Sequence, residues 1–599
     1  MDRADHAAGV GRDGWPPSPV SMDFRTPPLP SSAGTGSRLA AALVGLWLGT
    51  LAPLAWAQPL WMDATGRPSA AARTAVQWLS ASDKDGLRPA DYGAAALAKA
   101  LAAAQAQAPS ADEAARLDTQ LTDAVDRYLQ HLRFGRIDAR RQLNAHYDSP
   151  TAPAPDLPRR LRDAVAHGTP EDARRVATPP WPQYAPLLGA LAKYLALGEP
   201  AAWQQKLGTP PGGKLQPGQR WNGLPTLAAR LKALGDLAEG TAAAPASYDA
   251  TLQAAVKAFQ KRHGLDGDGV IGKTTIDALD VPPAARARQI ALALERLRLT
   301  PLPSAARFIT VNIPEFELRA FSQDAPAAAD AQPPAVRQDF AMKVIVGKAL
   351  DTRTPLFDED MRWIEFSPYW NIPASIARKE TVPKLRANPG YLAAQGMEFV
   401  GPSGTSTAVT PQALDAVLAG QLRIRQRPGP RNALGNVKFM LPNDQAIYLH
   451  DTNVPSLFAR TRRDFSHGCI RVEKPVSLAQ WLLQDQPDWT ESRIQQAMHQ
   501  PRPRTANLSE HVPVLIVYRT AVALPDGQVG FVPDLYGLDA QLERALAAPR
   551  LPPAKVAPAG AAATGAASAA SAPAAPARVT PASGALPAVP AAPASAASR

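Results

Sequence analysis

At 599 residues the chain is long enough for several domains, and its single cysteine excludes an internal disulfide. A formal charge of +11 suits an anionic surface or an acidic substrate, without separating nucleic acid from cell wall.

The first element is an apolar run, LAAALVGLWLG (39–49), preceded by Arg38 and followed by Ala55 and Ala57 just before Gln58. A basic flank, an apolar core and a small-residue exit predict a secretory signal peptide over 1–57. The run is interrupted by Pro53 and falls short of the roughly 20 residues that span a bilayer. The expected location is therefore exported and periplasmic, with no membrane span after cleavage. A long Pro-rich stretch precedes Arg38, which leaves Met1 or Met22 as the start.

Residues 58–222 are rich in Ala, Leu and Arg at helical spacing, as in LDTQLTDAVDRYLQHL (117–132), and predict a helical scaffold domain. From 223 to 283 a small three-helix unit is expected. Leu227, Leu231 and Leu234 repeat at i, i+4, i+7, as do Leu252, Val256 and Phe259, and a third helix covers 274–280. Between them GDGVIGKT (267–274) matches the phosphate-loop pattern letter for letter. A phosphate loop follows a buried strand, whereas an amphipathic helix stands here, so no nucleotide is expected. The glycines serve a tight turn instead. Asp266 and Asp268 lack the spaced ligands of a calcium loop.

From about 305 short strands follow: FITVNI (308–313) and ELRAF (317–321) around Pro314-Glu315 as a hairpin, then MKVIVG, WIEF, VKFML, AIYLH (446–450) and VPVLIVY (512–518). They predict a β-rich domain over 284–546, sandwich-like or barrel-like. Between Pro373 and Arg431 the period turns helical, which predicts a helical lid insertion at about 374–432. Beyond 546 the composition collapses to Ala, Pro, Ser and Gly, and 547–599 is expected to be disordered. The fold class is thus α+β and multidomain.

The lone thiol lies in SHGCIR (466–471). A leftover cysteine in an exported chain is a candidate reactive group. A free thiol is only a few per cent thiolate at neutral pH, and an adjacent imidazole can take its proton to give a thiolate–imidazolium pair. Gly468 lets the backbone turn so that amide N–H groups at Gly468 and Cys469 face a carbonyl oxygen, and Arg471 is placed to meet a carboxylate. His450 and His467 compete for the base, and spacing selects neither. Tyr448 shares the strand face of His450. Tyr369 and Trp370 read as packing aromatics or as a cleft wall, and Arg463 as a solvated charge. A zinc site through Cys469, His467 and His450 has no further Cys and no paired-His helix behind it, so no metal is expected.

HDTNVPSLFARTRRDFSHGCIRV (450–472) resembles the signature of the L,D-transpeptidase catalytic domain, a His followed after a gap by Ser/Thr-His-Gly-Cys. LAARLKALGDL and YDATLQAAVKAFQKRHGLDGDGVIGKTTIDAL resemble the peptidoglycan-binding repeat of bacterial wall enzymes. FSPYWNIPASIARKE and RQRPGPRNALGNVKFMLPN are similar to the larger members with a lid and an inserted wall-binding repeat. The resemblance implies Cys469 as nucleophile, His450 as base, His467 and Gly468 on the oxyanion side, and Asp451 orienting His450 through its side chain or carbonyl. Two departures stand out: Arg471 where many members have Asn, and LERLRL (294–299) without the expected tryptophans.

The implied reaction is acyl transfer on peptidoglycan stem peptides. Cys469 attacks the carbonyl of the third stem residue, the terminal D-alanine leaves, and a side-chain amine of a neighbouring stem resolves the thioester into a 3→3 cross-link. Water, a free D-amino acid or a lipoprotein lysine are the alternative acceptors, and a non-catalytic wall-binding protein is the alternative class. A papain-like protease is disfavoured because no Trp follows the cysteine. No cofactor is expected. The expected partners are stem peptides and other wall-synthesis enzymes, not nucleic acid.

Overall fold

The computed structural model describes residues 59–548, apart from 150, 152–153, 242–244, 325–334 and 350–351. The segment over 1–57 expected to direct export and the Ala/Pro-rich stretch from 549 onward lie outside the described residues. The described residues from Leu60 onward belong to one compact unit.

Its N-terminal part is helical. LDTQLTDAVDRYLQHL falls inside Ala111–Phe134, whose start is fixed by a capping box between Ser110 and Glu113. Leu117, Leu121, Val125, Tyr128 and Leu132 of that helix face the core. The small three-helix unit follows as Leu224–Leu234, Ala250–Arg262 and Lys273–Leu279, and Leu227, Leu231, Val256 and Phe259 are fully enclosed. The phosphate-loop look-alike is a turn between two helices: Lys273 opens the third helix and pairs with Asp277 at 2.7 Å. Asp268 accepts from the Val270 amide and from Gln260. Asp266 bonds Thr461 of the β-rich domain.

A long helix, Pro283–Leu299, then runs into the β-rich domain. It is covered almost all round from Ile290 to Arg298, as expected of a helix at the centre of a structure. LERLRL therefore places charge inside the protein. Arg298 pairs with Glu295 at 3.2 Å, stacks over Tyr184 and donates to its hydroxyl.

The β-rich domain contains β1 (Arg307–Asn312), β2 (Glu317–Gln323), β3 (Val336–Gly347) and β4 (Asp358–Phe366). After an insertion come β9 (Val437–Met440), β10 (Leu449–His450), β11 (Asp464–Ser466), β12 (Ile470–Val472) and β13 (Arg504–Val517). The insertion supplies β5 (Trp370–Asn371), β6 (Met397–Gly401), β7 (Gly404–Ser406) and β8 (Arg423–Gln426); a last hairpin supplies β14 (Ala521–Ala523) and β15 (Val529–Phe531). The order β11-β3-β12-β10-β9-β4-β13-β1-β2 returns on itself because β2 also pairs with β3. Of the sandwich-like and barrel-like arrangements expected, the strands form the barrel-like one, a closed ring with no free edge between β2 and β3. Ile309, Val311, Val344, Ile364, Phe439, Leu449 and Ile470 fill its interior.

The insertion differs from the expected helical lid. Its short helices (Ala374–Ile376, Val382–Ala387, Tyr391–Ala394 and Pro411–Leu418) pack on a four-stranded sheet, β5-β8-β6-β7, around a separate core of Leu385, Phe399, Leu414 and Ile424. Its strands have two to five residues, too few to show an alternating period.

Candidate active site

Register brings the site together. β10 runs parallel to β12 with His450 opposite Arg471, and antiparallel to β9 with His450 opposite Lys438. Lys438 in turn lies opposite Glu365 of β4. A row of ionisable side chains, Glu365, Lys438, His450 and Arg471, therefore crosses four neighbouring strands. Side chains two positions apart on a strand share a face. Tyr448 therefore joins His450, and Cys469, at the mouth of β12, joins Arg471. The Ile470 amide bonds the Tyr448 carbonyl at 3.0 Å, which sets Cys469 beside Tyr448.

His450 is 4% exposed. Its Nδ1 lies 2.6 Å from the Asp451 carbonyl oxygen. A carbonyl only accepts, so Nδ1 carries the proton and Nε2 keeps the basic lone pair. Of the two routes left open for Asp451, the structure uses the carbonyl; the carboxylate instead accepts from the Asn436 amide at 2.9 Å. Gly435, at φ +63°, makes this approach feasible, since a Cβ there would sit 2.4 Å from the Asp451 Oδ2. Burial pushes His450 down to about 3, and the Arg471 charge adds to the effect, while the Asp451 and Leu434 carbonyls oppose it.

The Cys469 thiol donates to the Ala446 carbonyl at 3.5 Å, from a residue held at φ +55°. Burial pushes the thiol up from its ordinary value, and bonds from Tyr448 with the charges of Lys438 and Arg471 offset part of that. Desolvation of both groups works against the expected thiolate–imidazolium pair in the absence of substrate.

The SHGC loop is braced from within. Ser466 Oγ donates to the Cys469 carbonyl at 2.5 Å and accepts from the Gly468 amide at 3.2 Å. Thr354 Oγ1 donates to the Gly468 carbonyl at 2.7 Å. The Gly468 N–H, read from the sequence as facing substrate, is engaged by Ser466 here. Gly468 itself is at φ +118°, a turn that a side chain would resist. His467 points to the insertion, where its Nε2 meets Glu380 Oε1 at 2.6 Å in a five-residue π-helical stretch, Ala377–Thr381.

Arg471 is partly buried, and among the described residues its Nε has no hydrogen-bond partner. Burial lowers it and the neighbouring Cys469 opposes the shift. The Lys438 ammonium sits 4.0 Å from the centre of the Tyr448 ring, and that ring lies 5.7 Å from His450. Trp370 reaches the Tyr448 phenol. Tyr369 does not join them; Arg425 covers its ring at 4.1 Å. Arg463 is not a solvated charge. It is buried and donates to the Val344, Arg460, Thr461 and Phe316 carbonyls, which pins the segment before the SHGC loop. Lys438, Glu365 and Glu380 are site residues that periodicity does not single out, since each reads as an ordinary polar position on a strand or helix. Among the described residues no cluster of three His, Cys, Asp or Glu is arranged to hold a metal.

A thiol, a buried imidazole and two cations share one strand face next to an insertion, a set of groups of the kind that acyl transfer uses. Residues 306–503 match the family model of the YkuD L,D-transpeptidase catalytic domain. Residues 56–191 match a model described as "Scaffold domain", and 222–279 one described as "Putative peptidoglycan binding domain". The chain therefore carries an L,D-transpeptidase catalytic domain of the YkuD family together with a peptidoglycan-binding domain. It is 31% identical over 287 residues to a Haemophilus influenzae protein named "Putative L,D-transpeptidase", an alignment covering 47% of this chain and 55% of the relative. The chain thus spans about half the length of that relative. A solved structure of a fused Zn-dependent amidase/peptidase/peptidoglycan-binding domain-containing protein from Clostridium acetobutylicum is 16% identical, over 25% of this chain and 69% of that one, with a TM-score of 0.11. At that score the likeness carries no argument about fold.

Proposed function

We propose that the protein is a cysteine-dependent L,D-transpeptidase that forms 3→3 cross-links between peptidoglycan stems through a thioester on Cys469. The observation that carries this reading is the shared strand face of Tyr448, His450, Cys469 and Arg471, set by the β10–β12 register. Arg471, with an uncommitted N–H beside the thiol, meets a stem carboxylate and draws the scissile carbonyl over the sulfur. His450 Nε2 accepts the thiol proton as the C–S bond forms, returns it to the departing D-alanine amine, and later deprotonates the incoming amine. The insertion joined to His467 through Glu380 shields the thioester from water. The signal-like segment over 1–57 supports a periplasmic site of action.

The test is mass analysis of muropeptides after incubating tetrapeptide-containing substrate with purified protein. Wild type yields dimers linked 3→3 and free D-alanine, and Cys469→Ala yields neither while keeping its fold. Cross-links formed by Cys469→Ala would refute the assignment. Tripeptides without dimers would show that water is the acceptor.

A further inference from the structure

Attack by a thiol on a carbonyl leaves negative charge on the carbonyl oxygen, and that charge needs a fixed donor. Of the two amides that the sequence puts forward, the Gly468 N–H is taken by Ser466 at 3.2 Å. The next amide along, that of Ile470, bonds the Tyr448 carbonyl at 3.0 Å. Between them, the Cys469 N–H has no acceptor among the described residues. It belongs to the residue that carries the sulfur, a position from which a backbone amide can reach the oxygen of a group bonded there.

What aims that amide is the other end of its peptide group. The Gly468 carbonyl accepts from Thr354 Oγ1 at 2.7 Å. A trans peptide is planar, so its C=O and N–H point to opposite sides. Gripping the carbonyl therefore sets the direction of the Cys469 N–H, and a donor on the oxygen also polarises it. The grip matters because Gly468, at φ +118°, does little to stop this peptide from turning.

Thr354 is itself held from behind. It is 2% exposed. Its Oγ1 accepts from the Gly347 amide at 2.9 Å, which leaves its one proton for Gly468. Its own amide donates to the Tyr536 hydroxyl at 3.3 Å, and that hydroxyl donates to the Gly347 carbonyl at 2.7 Å. Only glycine fits at 347, since a Cβ there would overlap the Thr352 carbonyl and lie 2.8 Å from the Thr354 nitrogen. The same segment grips the SHGC loop a second time. The Thr352 hydroxyl and the Lys348 amide donate to the Ser466 carbonyl at 3.0 and 3.1 Å.

We propose that Thr354 is a positioning residue for acyl transfer, its hydroxyl orienting the Gly468–Cys469 peptide so that the Cys469 N–H meets the oxyanion. The assignment rests on the acyl-transfer reading of Cys469. As the C–S bond forms, the carbonyl π pair moves onto oxygen, and the Cys469 N–H donates to it. The pair then returns, the C–N bond breaks, and the D-alanine amine leaves with the proton from His450. Thr354 touches neither sulfur nor substrate and acts only through the peptide.

Two reactions of the chain's only thiol separate this role from packing. Alkylation by iodoacetamide develops no oxyanion, whereas D-alanine release from a tetrapeptide stem, with enzyme in excess, passes through one. Thr354→Val keeps the shape and removes the hydroxyl. Its D-alanine release should fall about tenfold, less than the ~10²–10³ lost when an oxyanion donor is removed outright. Its alkylation rate should stay within about twofold of wild type, since the donor serves only the charged oxygen. Thr354→Ser should restore most of the release rate; a Ser variant as slow as Val would assign the effect to packing and overturn the proposal. If the Val variant does not fold, Tyr536→Phe, which frees the Gly347 carbonyl and the Thr354 amide, should show the same split at smaller size. Both reactions slowed equally, or neither slowed, in the variant that folds would overturn the role of Thr354 alone. Wild type that is alkylated but releases no D-alanine would instead sink the transpeptidase reading, and this inference with it.

Discussion

The buried state of His450 makes a quantitative demand on stability. In the unfolded chain its imidazole takes up a proton near 6.5, whereas in the folded protein burial and the Arg471 charge hold it down to about 3. The folded-state value is depressed, so the stabilising contribution is complete above 6.5 and is lost progressively as the pH falls from 6.5 towards 3. Each pH unit in that window costs the folded state about 1.4 kcal/mol, so at pH 5 the loss from this residue is about 2 kcal/mol. His450→Gln keeps a donor for the Asp451 carbonyl and removes the titration. Urea unfolding of wild type and variant at pH 7 and pH 5 reads the difference directly. Whatever the variant's stability relative to wild type at pH 7, the balance should move in the variant's favour by about 2 kcal/mol at pH 5. His263, which burial also depresses strongly, cancels because it is present in both proteins. Parallel pH dependences would refute the claim that His450 is a desolvated, neutral base.

Two further outcomes follow from charges near the core. Lys438→Met removes one of the two cations that hold the Cys469 thiol down, so alkylation by iodoacetamide at pH 7.5 should slow about three- to tenfold, with the midpoint moving up and Lys438→Arg restoring most of the rate; an unchanged profile would leave Lys438 only a packing role. Asp236→Asn strips the partner from buried Arg262, bonded at 3.1 Å through Nε, and should cost about 3–5 kcal/mol in chemical denaturation. A loss under about 1 kcal/mol would show that the pair is solvated.

What the chain order reveals and what it conceals divide along physical lines. Cys469 and His450 are legible because a lone thiol and a histidine ending an apolar strand are rare residue types in a telling neighbourhood. The amphipathic helices of 224–280 are legible because their apolar repeat is local. The row from Glu365 to Arg471 is not, since it exists only through pairing of β4, β9, β10 and β12, in which Glu365 meets Lys438 from far along the chain. The strands of the insertion are shorter than the period that would disclose them. Arg463 looks solvated in RTRRD, and only the folded loop shows the four carbonyls that hold it.

The same row changes how the proposed reaction begins. A preformed thiolate–imidazolium pair requires His450 to carry charge, and the site opposes this twice, by burial and by Arg471. Arg471 also holds the Cys469 thiol down. A carboxylate paired with Arg471 neutralises both influences, making His450 a stronger base and the thiol a weaker acid at the same moment. Free thiolate is then no more abundant with substrate bound than without it. In the proposed reaction, proton transfer would therefore accompany C–S bond formation instead of preceding it, and general-base catalysis by His450 Nε2 would be the step through which substrate recognition at Arg471 reaches the sulfur.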